Sequence, residues 1–392
     1  MSSEENNAIT RTARGRRDKH TWTHQLFRLL WLALIPLGLL LPKLCSGHAA
    51  DIELTYSRKI YPAIAKVLSA ISSAFSFSLA EVLLISAAVI IAAILVFRIF
   101  AVIFGKLHKR HRNRIKLVSF LISVGIFAGV MINLFYGLWG LNHFRLPAEY
   151  TFGLSVREYS TAELSEAYEY LIGEAAALRE QVSEDENGVF TVSHDEVYHS
   201  VVEAYEALGE SNSAFANTVY PAKSLMLSPA MSSAGIAGIY IPYTAEANVN
   251  TDQPDLYIPA SAAHETAHYF GFAREDEANF IAYYVSLFSE DPALRYSAVM
   301  NALVCCGNAL CGQDRELYIA LRERYTDGMN RDLTEYRNYL ANSSGGKLEE
   351  ISDKLNDTYL KHNGQTEGVD SYYQMTRLLL AYFESRQIIT GG

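Results

Sequence analysis

Cysteine is scarce in this chain. Four thiols in 392 residues, Cys45, Cys305, Cys306 and Cys311, are too few for a disulfide framework. The CC-x4-C spacing of the last three is not one that zinc sites use. One bridge among them stays open if that part of the chain faces an oxidising space. The plainer expectation is buried or free thiols, since a free cysteine packs as a small hydrophobe. A surplus of positive charge is missing too: the net charge of −10 argues against a nucleic-acid partner, which would usually meet a basic face. There is no internal repeat and no long disordered linker. Charge of either sign is thin, at 19% of residues, while 50% are hydrophobic. The length leaves room for roughly two or three domains, and the balance of composition points to a membrane portion joined to a polar one.

Three long apolar stretches carry that membrane portion: LFRLLWLALIPLGLLLPKLC (26–45), VLLISAAVIIAAILVFRIFAVIFG (82–105) and LVSFLISVGIFAGVMINLFYGLWG (117–140). About 20 apolar residues in a helix cross the ~30 Å hydrocarbon layer, and each stretch is long enough. Arg98 lies near one end of the second, where it can snorkel to the headgroups. The first stretch also has the basic leader and small-residue site of a signal peptide. Its apolar run exceeds the usual ~7–15 residues, which favours a retained anchor. The leader TRTARGRRDKH (10–20) has five Lys/Arg and the loop GKLHKRHRNRIK (105–116) has six, against Arg58, Lys59 and Lys66 alone in 46–80. The positive-inside bias therefore puts leader and second loop in the cytoplasm, and everything after about residue 141 outside it. The expected organisation is a cytoplasmic leader (1–25), a membrane region with three helices (26–145) and an extracytoplasmic domain (146–392).

The 146–392 part reads as mainly α with a small β element. Ser160 with Glu163 forms a capping box before TAELSEAYEYLIGEAAALREQ, and Ser193 with Glu196 repeats it before VYHSVVEAYEAL. Apolar residues recur at helical spacing in both, and further helices follow from 285 to SYYQMTRLLLAYFESRQ (371–387). Between 224 and 260 the residues turn to Gly, Ser, Pro and β-formers, so a loop and one short strand, IAGIYIPY (236–243), are expected.

The segment AAHETAHYFGFAREDEANF (262–280) carries the chemistry. Residues four apart share a helix face, so His264 and His268 can aim two imidazoles at one point, as zinc requires of its first two ligands. Glu265 flanks the same site and has the position of the general base in His-Glu-x-x-His peptidases. Pro259 and Ser261 suit a helix start, and Gly271 suits its end. The bland alternative is two histidines on a solvated face. Against it stand the small and apolar neighbours Ala262, Ala263, Ala267, Tyr269, Phe270 and Phe272, which point to burial, where His and Glu need partners. A third ligand six residues after His268 would have to be Arg274, which binds no metal. The next helix offers Glu275, with Glu277 as runner-up. Asn279, four residues beyond Glu275, can turn back to orient a ligating histidine.

HETAH followed by EDEANFIA resembles the gluzincin zinc peptidases, whose third ligand opens an E-x-x-A-[DN] run, and is similar to the ImmA/IrrE-type peptidases in particular. That resemblance implies one Zn2+ held by His264, His268 and Glu275, with Glu265 as base. Only six residues separate His268 from Glu275, so the turn at Gly271 must be tight. WGLNHFRLP (139–147), GIYIPYTAEANVN (238–250), HETAHYFGFAREDEANF (264–280) and VDSYYQMTRLLLAYF (369–383), in this order, resemble a bacterial membrane family, domain of unknown function 3810. The family implies a zincin-like fold of the gluzincin type, and no particular substrate.

The expected function is a multi-pass membrane zinc metallopeptidase with its domain outside the cytoplasmic membrane. A metal-activated water would attack a peptide bond while Glu265 takes and returns its proton. GIYIPY is the edge along which an extended peptide or protein substrate would lie. Tyr240, Tyr243, Tyr372 and Tyr373 are candidates to assist the oxyanion, although any one tyrosine among 25 is more often packing. Glu246, Asn248 and Asn250 either line the cleft or belong to an ordinary polar loop. The alternative function is a non-catalytic zinc-containing module that senses a peptide or cell-wall ligand; a third is a purely structural metal. The bilayer is the other expected partner, and the oligomeric state is open.

Overall fold

In a computed structural model of the chain the described residues are 25–105, 107–343, 345–363 and 371–390. The basic leader 1–24 and the side chains of Tyr372 and Tyr373 lie outside them. The fold is mainly helical with one small sheet, and the chain divides into two compact units.

The first unit takes residues 25–44 and Val82–Gly137. Its helices belong to three segments long and apolar enough to cross a membrane, Gln25–Cys45, Leu79–Ile103 and Arg112–Leu138. Within it Gly125 and Gly129, one turn apart, let the third helix approach the first closely: a Cβ on Gly129 would meet the Leu34 Cβ at 2.9 Å. Small residues at such crossings are how apolar helices pack when burial of hydrocarbon gives no bias. Polar ties reinforce the contact. Asn133 donates to the Leu34 carbonyl at 2.8 Å, and Arg28 donates to the Ser119 and Ser123 hydroxyls at 2.6 and 2.5 Å.

The second unit joins Cys45–Glu81 to the chain from Leu138 onward. The sequence boundaries leave 46–81 in the membrane region; in the structure this segment packs within the globular unit instead. It runs as a π-helix, Ile52–Ile60, into helix α1, Tyr61–Ser72. Its partners are far along the chain, so local periodicity carries no sign of the attachment. Helix α2 (Thr161–Arg179) opens on the complete Ser160–Glu163 capping box and buries Leu164, Ala167, Tyr168, Leu171, Ile172 and Ala175, the spacing of one helical face. Helix α3 (His194–Ser211) starts where expected, but Ser193 makes no side-chain cap bond. Asp255 instead takes Val192 N–H, the Thr191 hydroxyl and His194 Nε2, so a distant carboxylate sets the chain's path into the helix.

The sheet has three strands, β1 (Lys223–Ser224), β2 (Gly238–Ile241) and β3 (Glu246–Val249), in the order β1-β3-β2. β3 pairs parallel with β1 and antiparallel with β2. Only β2 is foreseen from the sequence. β3, in TAEANVN, reads as a polar loop but is the central strand, and all four of its residues are buried. Glu246 accepts from the Leu79 and Ala80 N–H groups and pairs with Lys223 at 2.6 Å. Asn248 Nδ2 donates to the Ile239 and Glu246 carbonyls, and Asn250 Nδ2 to the Ser232 hydroxyl and Ile236 carbonyl. These polar side chains tie the strand in place, and of the three Glu246 alone also lines a cavity.

Helices α4 (Ile258–Tyr269), α5 (Glu275–Ser286), α6 (Pro292–Gln313) and α7 (Ser371–Ser385) pack around this sheet and α2. All four cysteines are free, with Cys305 and Cys306 buried in α6.

Candidate metal centre

α4 carries HETAH. Pro259 stands in its first turn, where the missing N–H has no helical partner to lose. The helix ends at Gly271, at φ +81°, a conformation that side chains with a Cβ rarely adopt. A Cβ there would also meet the Tyr61 ring at 3.0 Å and the Asn142 side chain at 3.1 Å. Gly271 therefore meets both demands of the tight turn. Phe272 N–H bonds back to the Ala267 carbonyl, Arg274 is extended, and Glu275 opens α5 at its first position, where the helix dipole favours a carboxylate.

The turn brings three side chains to one point. His264, His268 and Glu275 each offer a ligand atom, and these atoms lie within 4.8 Å of one another. His264 Nε2 is 3.2 Å from one Glu275 oxygen and His268 Nε2 is 3.7 Å from the other. Two ligands on a tetrahedral zinc with bonds of ~2.0–2.1 Å sit about 3.3 Å apart. Glu277, the alternative third ligand, is elsewhere: it accepts from Arg274 at 2.5 Å and from Ala148 N–H at 2.9 Å.

The partners of the other ring nitrogens decide what the cluster can hold. His268 Nδ1 is 2.7 Å from the Phe272 carbonyl, and His264 Nδ1 is 3.0 Å from Asn279 Oδ1. Both partners accept, so each Nδ1 carries the proton and each Nε2 of a neutral ring turns its lone pair toward the Glu275 carboxylate. Two lone pairs facing an anion need a proton or a cation between them. The electrostatics agree. Burial opposes charge on His268, yet the Glu275 carboxylate overrides it and lifts the imidazole to about 9. Burial likewise opposes charge on Glu275, and His268 and His264 together hold it well below the usual carboxylate range. The donor set, two imidazole nitrogens and one carboxylate oxygen with hydrogen-bonded backing, fits zinc and leaves a coordination position open. A third of the Glu275 side chain is exposed while His268 is buried, so the cluster opens outward on the Glu275 side.

Glu265 lies beside it, buried against β2. A Cβ on Gly238 would meet its Oε1 at 2.7 Å and its Cγ at 2.8 Å, so glycine is what lets the strand pass. Tyr240 N–H donates to the carboxylate, and burial pushes the carboxyl above its usual range against the lowering pull of His264 and His268. Because Asn250 N–H bonds to the Ala237 carbonyl, the antiparallel alternation directs the main-chain groups of Gly238 and Tyr240 away from β3, to the open edge.

The other candidates part ways. The Tyr240 hydroxyl is buried 3.0 Å from the Tyr61 hydroxyl, a packing role. Tyr243 is half-buried, and burial raises its phenol. A cavity of about 230 Å³ lies on the opposite side of α4, lined by Ser72, Tyr198, Lys223 and Thr266 among others, and does not touch the cluster. Reasoning from local sequence misses the groups that hold the end of α4. Trp139 Nε1 donates to the His268 carbonyl at 2.8 Å, and the Tyr61 hydroxyl to the Tyr269 carbonyl at 2.6 Å. Arg145 Nη1 donates to the Gly271 carbonyl at 3.1 Å and is itself clasped by Glu53 at 2.8 and 3.0 Å. His143, buried beside Trp139, has its imidazole pushed down to about 3 by burial and the nearby His268, and its Nε2 lies 2.7 Å from the Tyr359 hydroxyl. Trp139, His143 and Arg145 fall in WGLNHFRLP, a segment whose composition alone suggests only the end of a membrane helix.

No curated protein matches the chain, and no solved structure does. A family model does, over residues 56–380: protein of unknown function (DUF3810). The match spans α1, the sheet, the HETAH turn and most of α7, and the chain therefore belongs to the DUF3810 family.

Proposed function

We propose that the chain is a zinc peptidase anchored in the membrane by three helices, with its N-terminus cytoplasmic and its second unit outside the cytoplasmic membrane. One observation carries the reading: two imidazoles, their Nδ1 protons given to Phe272 and Asn279, turn their Nε2 lone pairs onto the single carboxylate of Glu275. The residues that would hold the metal are His264, His268 and Glu275. When bound, it would supply Lewis-acid polarisation of a carbonyl and a water of lowered pKa. Glu265 takes the proton of the attacking water on its carboxylate and passes it to the leaving nitrogen. Its raised pKa suits a group that must hold a proton part of the time. The open edge of β2, with Gly238 and Tyr240 main-chain groups turned toward Glu265, supports an extended peptide lying across the site. The basic residues flanking the first two apolar helices support the orientation.

The test uses the full chain purified in detergent. Metal content is measured by mass spectrometry and hydrolysis with casein and a peptide mixture. Glu265→Gln is expected to keep one zinc per chain and to lose about 10²–10⁴-fold in hydrolysis, the range of general acid–base contributions. His264→Ala is expected to lose the metal itself. Equal hydrolysis by wild type and Glu265→Gln would refute Glu265 as the base, and no hydrolysis by either would refute the peptidase. Zinc retained with ligand binding and no turnover in either would leave a binding module.

A further inference from the structure

Helix α1 has two faces. Tyr61, Ala65, Ser69 and Ser72 are buried inside the second unit. On the other side Ile60, Val67 and Ile71 are 52%, 61% and 57% exposed, with Ile64 half-buried between them. Their spacing, 60, 64, 67 and 71, aligns them in one apolar stripe. Ala63 and Ala70 widen the stripe without adding polarity, and both are exposed. Lys59 and Lys66, seven residues apart, mark one border. Beyond the helix Phe75 and Phe77 remain 39% and 43% exposed. A helix that met only water on this side would carry polar side chains there.

The chain on either side says what covers the stripe. The segment starts where the apolar helix Gln25–Cys45 ends and stops where Leu79–Ile103 begins. If both helices cross the bilayer, both ends of the segment emerge from the same leaflet. An amphipathic helix tethered at both ends to a lipid surface, apolar on its free side and lysine-edged, has the chemistry of an interfacial helix.

We infer that α1 lies in the headgroup layer of the outer leaflet, with Ile60, Ile64, Val67 and Ile71 turned into the acyl boundary and Lys59 and Lys66 toward lipid phosphates. The inference rests on the membrane-spanning part of the proposed function and deepens it. The same helix grips the end of α4, the Tyr61 hydroxyl donating to the Tyr269 carbonyl at 2.6 Å and Ser69 Oγ lying 3.3 Å from the Tyr269 hydroxyl. The end of the HETAH helix is therefore held by the helix that lies on the lipid surface. Its substrates are peptide segments held at that surface, juxtamembrane or lipid-anchored, in preference to peptides free in solution.

Spin labels placed at Val67→Cys and Ile71→Cys test this. The host is the full chain with Cys45→Ser and Cys311→Ser, reconstituted in phosphatidylethanolamine–phosphatidylglycerol vesicles. Lys354→Cys, at a side chain 73% exposed, serves as the water-facing reference. At 67 and 71 the collision rate with oxygen is expected to exceed that with a water-soluble nickel chelate several-fold, with the reverse at 354. Nickel access at 67 and 71 equal to that at 354 overturns the inference. Low collision with both reagents, together with dipolar broadening between labels, overturns it in favour of a second copy of the chain on that face. Alkaline carbonate extraction of the same vesicles separates the two levels of failure. Release of the chain refutes the spanning helices and the inference with them; retention with nickel access refutes the interfacial helix alone.

Discussion

Asn279 shows how far a single side chain can be followed from spacing to chemistry. One turn of helix separates it from Glu275, which predicts that a residue able to hydrogen-bond back toward the first helix faces the ligand cluster; in the structure it accepts from His264 Nδ1 at 3.0 Å. Removing that acceptor frees the ring to rotate and to exchange which nitrogen carries the proton. Asn279→Ala is expected to weaken zinc binding about 10–100-fold, the usual effect of losing a group behind a ligating histidine, with the fold intact by circular dichroism. Competition with a chromophoric chelator measures it, and unchanged affinity would show that Asn279 does not hold the ring. The equivalent group behind His268 was not legible. It is the Phe272 carbonyl, a main-chain atom present at every residue, and only the bend at Gly271 aims it. Side chains that act within one or two helical turns leave a pattern in the sequence, whereas a carbonyl placed by a turn does not.

At the scale of elements, the C-terminal end of α4 has its last carbonyls taken by Trp139, Tyr61 and Arg145. Helix-end carbonyls lack partners within the helix, and buried ones are costly when left bare. Arg145, 2% exposed, is tolerable there because Glu53 balances its charge. Burial opposes ionisation of Glu53, but the bonds and charge of Arg145 and Arg58 outweigh it and hold its carboxyl below the usual range. A carboxyl whose pKa is depressed on folding stabilises fully above its unfolded value, about 4.3, and loses that contribution as pH falls through the folded value. Glu53→Gln leaves a buried guanidinium uncompensated, so a loss of about 3–5 kcal/mol is expected at pH 7. The gap to wild type should begin to narrow as pH falls below about 4.3, the unfolded value, and close only below the lower folded value, where the native carboxyl is itself protonated. Thermal unfolding of the two solubilised chains across pH 3–8 measures it, and a gap that does not change with pH would show that the charge is not what matters. Element identity was partly legible for a related reason. Helices with an apolar face announced themselves, as α2 and α3 did. β3 did not, because Glu246 and Asn248 are polar residues buried by long-range bonds, and a polar strand reads as a loop.

The whole molecule draws its globular unit from both sides of two apolar helices, so a boundary placed at residue 146 cuts through it. A chain of 146–392 would lose Glu53, Tyr61, Trp139 and Arg145 at once. The carbonyls of Tyr269 and Gly271 would then lose the donors from Tyr61 and Arg145, that of His268 would keep the Gly271 N–H but lose Trp139, and Glu246 would keep Lys223 but lose the Leu79 and Ala80 N–H groups it caps. Each bare buried acceptor costs about 1–3 kcal/mol, and the Tyr269 and Gly271 carbonyls with one Glu246 oxygen together reach into the ~5–15 kcal/mol by which a whole domain is stable. The shortened chain is therefore expected to aggregate, or to stay in solution without binding zinc. A chain in which 45–81 is joined to 138–392 through a long Gly/Ser linker restores every one of those donors while omitting most of the apolar helices, and is expected to bind one zinc. Metal content and gel filtration of the two side by side decide the matter. If 146–392 alone bound zinc as well as the joined chain, the segment between the first two apolar helices would be an ornament on the site. If only the joined chain did, the centre would be assembled by parts of the sequence separated by two apolar helices, and its geometry would come from the packing of 45–81 within the globular unit and not from the helices that connect it.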